Sequence, residues 1–256
     1  MLLAIDIGNT NIVLGVFEGD ALVCEARLHS DENRTRDEYE VLLMGVLDSR
    51  LAAGFDVDLC VVSSVVPQLT PVLVQVVDAL FDAETVVVGP GIKTGLSINI
   101  DDPRTVGSDR VVNSVAAREA YGCPVLVVDF GTATTIDVIA ADGSYHGGVI
   151  APGLELSSSA LVSHTAKLPR IELAFPSEVV GKSTVHAMQS GTVVGHVMLV
   201  DGLIRRIEDE IGPVKHVVAT GGSGRLMAEH SECITIYDEH LTLKGLHHVA
   251  SLAGVG

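Results

Sequence analysis

The first thirty residues alternate between apolar runs and short polar breaks. Leu2-Leu3-Ala4-Ile5 leads into Asp6-Ile7-Gly8-Asn9-Thr10-Asn11, a second run spans Ile12 to Phe17, and Gly19-Asp20 precedes a third. Gly-Asn and Gly-Asp pairs between apolar runs favour tight turns, so residues 2–8, 11–17 and 21–29 are expected to form a three-strand meander. The same grammar returns midway. Val125-Leu126-Val127-Val128 meets Asp129-Phe130-Gly131-Thr132-Ala133-Thr134, then Ile136 to Ala140, the turn pair Asp142-Gly143 and another run. This gives strands near 125–129, 133–140 and 144–151. In both places a buried strand ends in Asp-x-Gly followed by threonine, which points to two related half-structures in one chain.

Between and after the meanders the period lengthens to that of a helix. Tyr39, Leu42, Leu43, Val46 and Leu47 mark one face of a helix over 36–53. Asp58 to Ser63 is a buried strand, 68–81 a helix with Pro71 in its first turn, and Thr85 to Val88 another strand. A loop over 91–106 precedes a helix from Ser108 to about Tyr121, and Gly122-Cys123-Pro124 breaks the chain. The boundary near 118 divides it into halves of 1–117 and 118–256. In the second half a short helix follows Pro152-Gly153, and 178–211 reads as a long helix or a broken pair. Lys215 to Ala219 is a strand, and Thr220-Gly221-Gly222-Ser223-Gly224 opens a helix. Val193, Val197, Val200, Ile204, Ile207 and Ile211 form an unbroken 4-3-4-3-4 stripe. The stripe suits a core-facing helix, and alternatively a surface shared with a second copy.

The chain has 256 residues and 47% hydrophobic positions, enough for a sizeable core. With 4% aromatics and no Trp, that core must be aliphatic. A net charge of −17 repels nucleic-acid backbones and anionic lipid, so neither nucleic acid nor a membrane surface is an expected partner. One anionic small ligand in a prepared site is compatible with it. The four cysteines are isolated, and the ten histidines lack metal-binding spacing. No apolar run of about 18 residues is evident, so the chain reads as a soluble, cytoplasmic, reduced protein.

The repeated Asp-x-Gly turns are the first candidate chemistry. A strand ending in a glycine turn presents consecutive N–H groups to phosphate oxygens. Asp6 at the strand end can hold Mg²⁺, which takes one or two carboxylates plus phosphate oxygens. Thr10 and Asn11 can donate hydrogen bonds, and Asp129 and Thr132 stand where Asp6 and Asn9 stand in the first copy. There is no P-loop: Gly181-Lys182-Ser183-Thr184 lacks the upstream glycine. The second candidate is Gly107-Ser108-Asp109-Arg110. Ser108 is a natural N-cap and Asp109 suits the helix dipole, which is expected to depress its pKa. Arg110 is out of place at a helix start, but an Asp-Arg pair there can hold a ligand hydroxyl and carboxylate together.

These motifs, with Lys93-Thr94-Gly95, Gly147-Gly148-Val149-Ile150-Ala151-Pro152-Gly153 and Thr220-Gly221-Gly222, resemble those of the type III pantothenate kinases, in that family's order and over nearly the whole chain. The family lies in the acetate and sugar kinase, Hsp70 and actin superfamily. The resemblance implies an α/β fold of two duplicated ribonuclease H-like (actin-like ATPase) domains facing across a nucleotide cleft. It implies ATP-dependent phosphorylation of pantothenate to 4'-phosphopantothenate, the first step toward coenzyme A. It implies ATP binding by Asp6, Ile7, Gly8, Asn9, Thr10, Asn11, Ile12, Val13 and Thr132, with Mg²⁺ at Asp6. Asp109 would be the catalytic base, and Gly107, Ser108, Asp109, Arg110 and Thr184 would contact pantothenate. Asp129 would bind a monovalent cation, K⁺ or NH₄⁺, and the protein would be a homodimer. Two positions depart from the family's common pattern: Ser108 replaces an alanine, and Ile100 a tyrosine of the substrate pocket. A same-fold kinase for a sugar or small acid and a catalytically silent nucleotide-binding relative are the competing readings.

Overall fold

The computed structural model describes residues 1–252, in two units with one strand plan. In the first unit β1 (Leu2–Ile7), β2 (Asn11–Glu18) and β3 (Ala21–His29) form the antiparallel meander. The strands β4 (Leu59–Ser64) and β5 (Glu84–Val87) add in parallel, giving the order β3-β2-β1-β4-β5. The β1–β4 register sets Asp6 beside Ser63 and Ile7 beside Ser64. Helices α1 (Arg36–Asp48) and α2 (Thr70–Leu80) send Tyr39, Leu43, Leu47, Leu73, Val76 and Val77 into a core with Leu3, Ile5 and Ile7. Thr35 and Glu38 form a capping box at the start of α1. The helix ends five residues earlier than the periodicity suggests, with Ser49 as its C-cap.

The second unit repeats the plan. The meander is β6 (Val125–Phe130), β7 (Ala133–Ile139) and β8 (Tyr145–Pro152), and β9 (His216–Thr220) and β10 (Ile236–Tyr237) add in parallel in the order β10-β9-β6-β7-β8. Here Asp129 lies beside Thr220. The helices are α4 (Leu154–Ser163), α5 (Thr184–Gln189), α6 (Gly195–Ile211) and α7 (Gly224–His230), with a π-helical turn, Ser190–Val194, between α5 and α6. Val193, Val197, Val200 and Ile204 are buried against Leu126, Val128 and Phe130, so this part of the stripe faces its own core. The helical run starts at Thr184, not 178, because Ser183 caps it by accepting from His186 N. By length and composition Thr184–Ile211 could cross a membrane, a candidate that the apolar-run criterion missed. In this fold 56% of its apolar window is buried, and it carries a buried carboxylate, Asp201, that accepts from Glu232 N at 2.9 Å.

Apart from a one-residue shift of the boundary at Ala117, the expected halves differ from the observed units in two places. The helix α8 (Leu241–Leu252), which the sequence pattern did not assign, belongs by its contacts to the first unit and not to the half 118–256. The reason is the second face of the first sheet. Ala4 pairs with Gly15 there, a small-residue patch that needs a cover, and Leu243 fills it so closely that a Cβ on Gly15 would lie 2.9 Å from Leu243 Cδ1. Conversely, Ile98–Ile100 groups with the second unit, where Asn99 N donates to Tyr145 O at 2.8 Å. The last four residues of that expected half lie outside the described residues.

Helix α3 (Ser108–Tyr121) packs on α8 within the first unit, as far as Ala116. Thr242 Oγ1 donates to Asn113 Oδ1 at 2.7 Å, and a Cβ on Gly245 would sit 2.2 Å from Val112 O. Gly→Ala in a helix ordinarily gains about 1 kcal/mol, but overpacking against backbone costs roughly 1–3 kcal/mol. Gly245→Ala is therefore expected to lower Tm by roughly 2–6 °C in a calorimetric scan. A raised Tm would mean that α3 and α8 separate freely, and would refute the close-approach account.

Candidate active site

The first turn is a closed structure. Gly8 N donates to Asn11 O at 3.0 Å, and the residue that follows β3 ties it down: Ser30 N donates to Thr10 O at 3.0 Å and Ser30 Oγ to Gly8 O at 2.6 Å. Ile7 and Ile12 are fully buried and serve the core, so within Asp6–Val13 they can act on a ligand only through their backbone. Asn9 and Thr10 are exposed at the tip, while Asp6, Gly8, Asn11 and Val13 are half-buried. The turn projects from the carboxyl end of β1, where ligands collect in sheets of this kind.

The start of α3 is fastened to the same end of the sheet. Ser108 Oγ accepts from Ser64 N at 2.9 Å, donates to Ser64 O at 3.0 Å and lies 3.0 Å from Ser63 Oγ. Ser108 is thus the first helical residue and not the N-cap. Gly107 takes that place, its carbonyl accepting from Val111 N at 3.2 Å. The hydroxyl of Ser108 is occupied by β4, so only its backbone is offered to a ligand. The sequence reading overlooked Ser63 and Ser64, although two serines closing an apolar strand, Leu59-Cys60-Val61-Val62-Ser63-Ser64, are the available signal. One run of neighbours, Asp6–Ser63–Ser108–Asp109, now joins the first turn to the candidate base.

Asp109 folds back over Gly107, where a Cβ would meet its Oδ1 at 2.4 Å, and Oδ1 accepts from Arg110 N at 2.8 Å. Its pKa is raised, not depressed as a helix start alone would have it. Burial of the carboxylate outweighs both that hydrogen bond and the adjacent Arg110 charge. A carboxyl pushed upward is the more able to accept a proton.

The second turn matches the first in plan. Gly131 N donates to Ala133 O at 3.1 Å, and the residue after β8, Gly153, donates its N–H to Thr132 O at 3.1 Å. Gly153 is there for space: a Cβ would lie 2.3 Å from Thr132 O and 2.5 Å from Gly131 O. The loop after β9 closes on Asp129. Gly221, at φ +89°, could carry no side chain, because a Cβ would meet Asp129 Oδ1 at 2.5 Å and Phe130 O at 2.7 Å. Thr184 is the first residue of α5 in the second unit and is exposed. Gly181 brings the approach to that helix onto its backbone, with a Cβ 2.4 Å from Ala187 N.

Among the described residues no group of three or more His, Cys, Asp or Glu could hold a metal ion by itself. Asp6 is one carboxylate at the end of a strand, and magnesium takes one or two carboxylates and fills its remaining positions with water and phosphate oxygens. At Asp129 the available donors are oxygens, the carboxylate and the Phe130 carbonyl, crowded around the space that a side chain on Gly221 would fill. That donor set fits a hard cation.

A duplicated five-stranded sheet with an Asp-x-Gly turn at the end of each central strand defines an actin-like ATPase fold, the fold of many sugar kinases. A Streptomyces griseus ROK family glucokinase in complex with glucose and AMPPNP shares it: TM-score 0.52, 13% identity, 100% of this chain and 99% of that one. So does a conserved Campylobacter jejuni protein assigned to the Baf family of transcriptional activators, at TM-score 0.63, 21% identity and 98% of both chains. The sequence profile of type III pantothenate kinases matches residues 2–206. A type III pantothenate kinase of an Exiguobacterium strain is 48% identical over 96% of both chains, and one of Brevibacillus brevis is 49% identical over the same shares. The chain belongs to the type III pantothenate kinase family, which phosphorylates pantothenate with ATP in the first step of coenzyme A biosynthesis.

The raised pKa of Asp109 makes a two-part expectation. A folded-state pKa above the unfolded value contributes stability at acid pH that is lost as pH rises through the folded pKa, so the ionised carboxylate burdens the fold at neutral pH. Asp109→Asn should cut turnover by about 10²–10⁴-fold. It should also raise Tm at pH 7, with the gain vanishing below the carboxylate range. Near-normal turnover, or a Tm lowered at neutral pH, would contradict the assignment.

Proposed function

We propose that Asp6–Val13 takes the phosphates of ATP through turn N–H groups and the Asn9, Thr10 and Asn11 side chains, with Asp6 holding Mg²⁺ together with the nucleotide. Thr132 contacts ATP, and Asp129 holds a potassium or ammonium ion. Gly107, Ser108, Asp109, Arg110 and Thr184 bind pantothenate. The observation that carries this reading is the Ser63–Ser108 tether, which fixes the candidate base at the strand end that bears Asp6.

Phosphoryl transfer passes through a loose transition state, so positioning and charge stabilisation supply most of the rate. The bound cations supply neutralisation of phosphate charge. Arg110 forks onto the pantothenate carboxylate and thereby orients the far hydroxyl. Asp109 accepts that hydroxyl's proton as the oxygen bonds to the γ-phosphorus and ADP departs. The raised pKa gives Asp109 basicity without requiring a second general base.

The same reading includes a homodimer in the cytoplasm. The outward face of α6 favours self-association: Met198 is 52% and Leu199 40% exposed, and Gly191, Gly195 and Gly202 have open space where side chains would be. All four cysteines are free thiols, which suits a reducing compartment. Met198→Glu should convert a dimer to a monomer in sedimentation equilibrium, and an unchanged mass would exclude this face.

ADP release from ATP and Mg²⁺ tests the rest, with and without pantothenate, in potassium and then in sodium. Pantothenate-dependent release is expected, with a marked loss in sodium that Asp129→Ala reproduces in potassium. Release that is equal in both salts would remove the cation role from Asp129. No pantothenate dependence would refute the assigned acceptor site.

A further inference from the structure

Phe130 and Thr134 pair across the base of the second turn, closing it around Gly131-Thr132-Ala133. In the first unit the matching pair is Ile7 and Ile12, both apolar and fully buried. Thr134 is just as buried at 1% exposure, so its hydroxyl needs a partner inside the protein. That partner is His196 at the start of α6, itself 6% exposed, with Nε2 2.9 Å from Thr134 Oγ1. The same imidazole stands edge-on to Phe130, ring centroids 6.1 Å apart. One side chain therefore grips both legs of the turn. The π-helical turn Ser190–Val194 lies directly before it, and such turns recur at functional sites. Burial lowers the pKa of His196, so the ring is neutral and its Nε2 can donate to or accept from the hydroxyl. A core built for stability alone would repeat the apolar pair of the first unit. A polar lock here instead fixes one geometry for the residues just above it.

We propose that His196 is a positioning residue for ATP: through Thr134 and Phe130 it sets the second turn, and with it Thr132 and Asp129. The inference rests on the proposed role of that turn in ATP and cation binding. Thr134→Val removes the hydroxyl and keeps the shape, His196→Phe removes the ring nitrogens and keeps the ring, and His196→Gln keeps a hydrogen-bonding group. Steady-state kinetics on each, on the double variant Thr134→Val/His196→Phe, and on Thr132→Ala should show a specific pattern. Thr134→Val and His196→Phe each raise KM for ATP by roughly 3–30-fold, the range of a lost buried hydrogen bond, and leave KM for pantothenate unchanged. The double variant is no worse than the poorer single one, and His196→Gln recovers most of the ATP affinity. If Thr132→Ala raises KM for ATP while the Thr134 and His196 variants shift only Tm, the positioning role is overturned and the ATP-binding turn stands. If Thr132→Ala also leaves KM for ATP unchanged, the reading of the turn falls and the inference falls with it. Thr134→Val keeps the test decisive should His196→Phe fail to fold.

Discussion

In each unit the candidate turn depends on the parallel pairing of the central strand with its neighbour, β1 with β4 in the first and β6 with β9 in the second. A side chain's face alternates along a strand, so the register that sets Asp6 beside Ser63 and Asp129 beside Thr220 could not slip by one residue without turning each carboxylate to the other face. The burial of Leu3, Ile5 and Ile7, and of Leu126, Val128 and Phe130, forbids that slip. The core thus specifies the site. From the fixed strand ends the remaining parts follow by short-range contacts: the serine tether holds α3 in the first unit, and the glycine loop closes on Asp129 in the second.

The charge distribution sharpens the point. A chain of net charge −17 is a poor general attractor of polyanions. Its candidate phosphate sites do not rely on a basic surface. In the proposed reading they rely on turn N–H groups, on cations recruited by single carboxylates, and on one arginine next to the candidate base. At Asp109 burial outweighs its neighbours. The helix start, the Arg110 N–H and the guanidinium all favour the ionised form, yet desolvation dominates. The fold tolerates this cost at the residue proposed as the proton acceptor.

Much of this was legible in the sequence. The two meanders, both Asp-x-Gly turns and the extent of α3 follow from apolar runs, turn pairs and a cap-like start, because these signals are local. The unassigned elements are those whose cause lies far away in the chain. Helix α8 exists as a cover for the Ala4–Gly15 patch, more than two hundred residues upstream, and β10 is a two-residue strand recruited by β9. Ser108 has the look of an N-cap, because serine before a helix usually is one. Its hydroxyl went instead to a strand forty-four residues earlier, which no local rule contains. His196 carries no local signal, since neither its buried partner Thr134 nor the ring of Phe130 is near it in sequence.

The two turns, alike in plan, differ where a division of labour would need them to. Both are tied by the residue after the third strand, through an N–H to the carbonyl of Thr10 or Thr132. The first turn has four residues between its closing pair, rests on apolar Ile7 and Ile12, and gains a second tie from the Ser30 hydroxyl. The second has three, rests on Phe130 and a buried polar Thr134, and is pressed by Gly153 and by Gly221 against its own carbonyls. A longer turn with exposed Asn and Thr at its tip has room to wrap a phosphate. A shorter one, hemmed in by glycines and locked by a histidine from below, holds oxygens at fixed spacing. Fixed spacing is what selection among cations requires. The two units thus carry one strand-turn device twice, and the residues beneath and around each turn are where the copies differ.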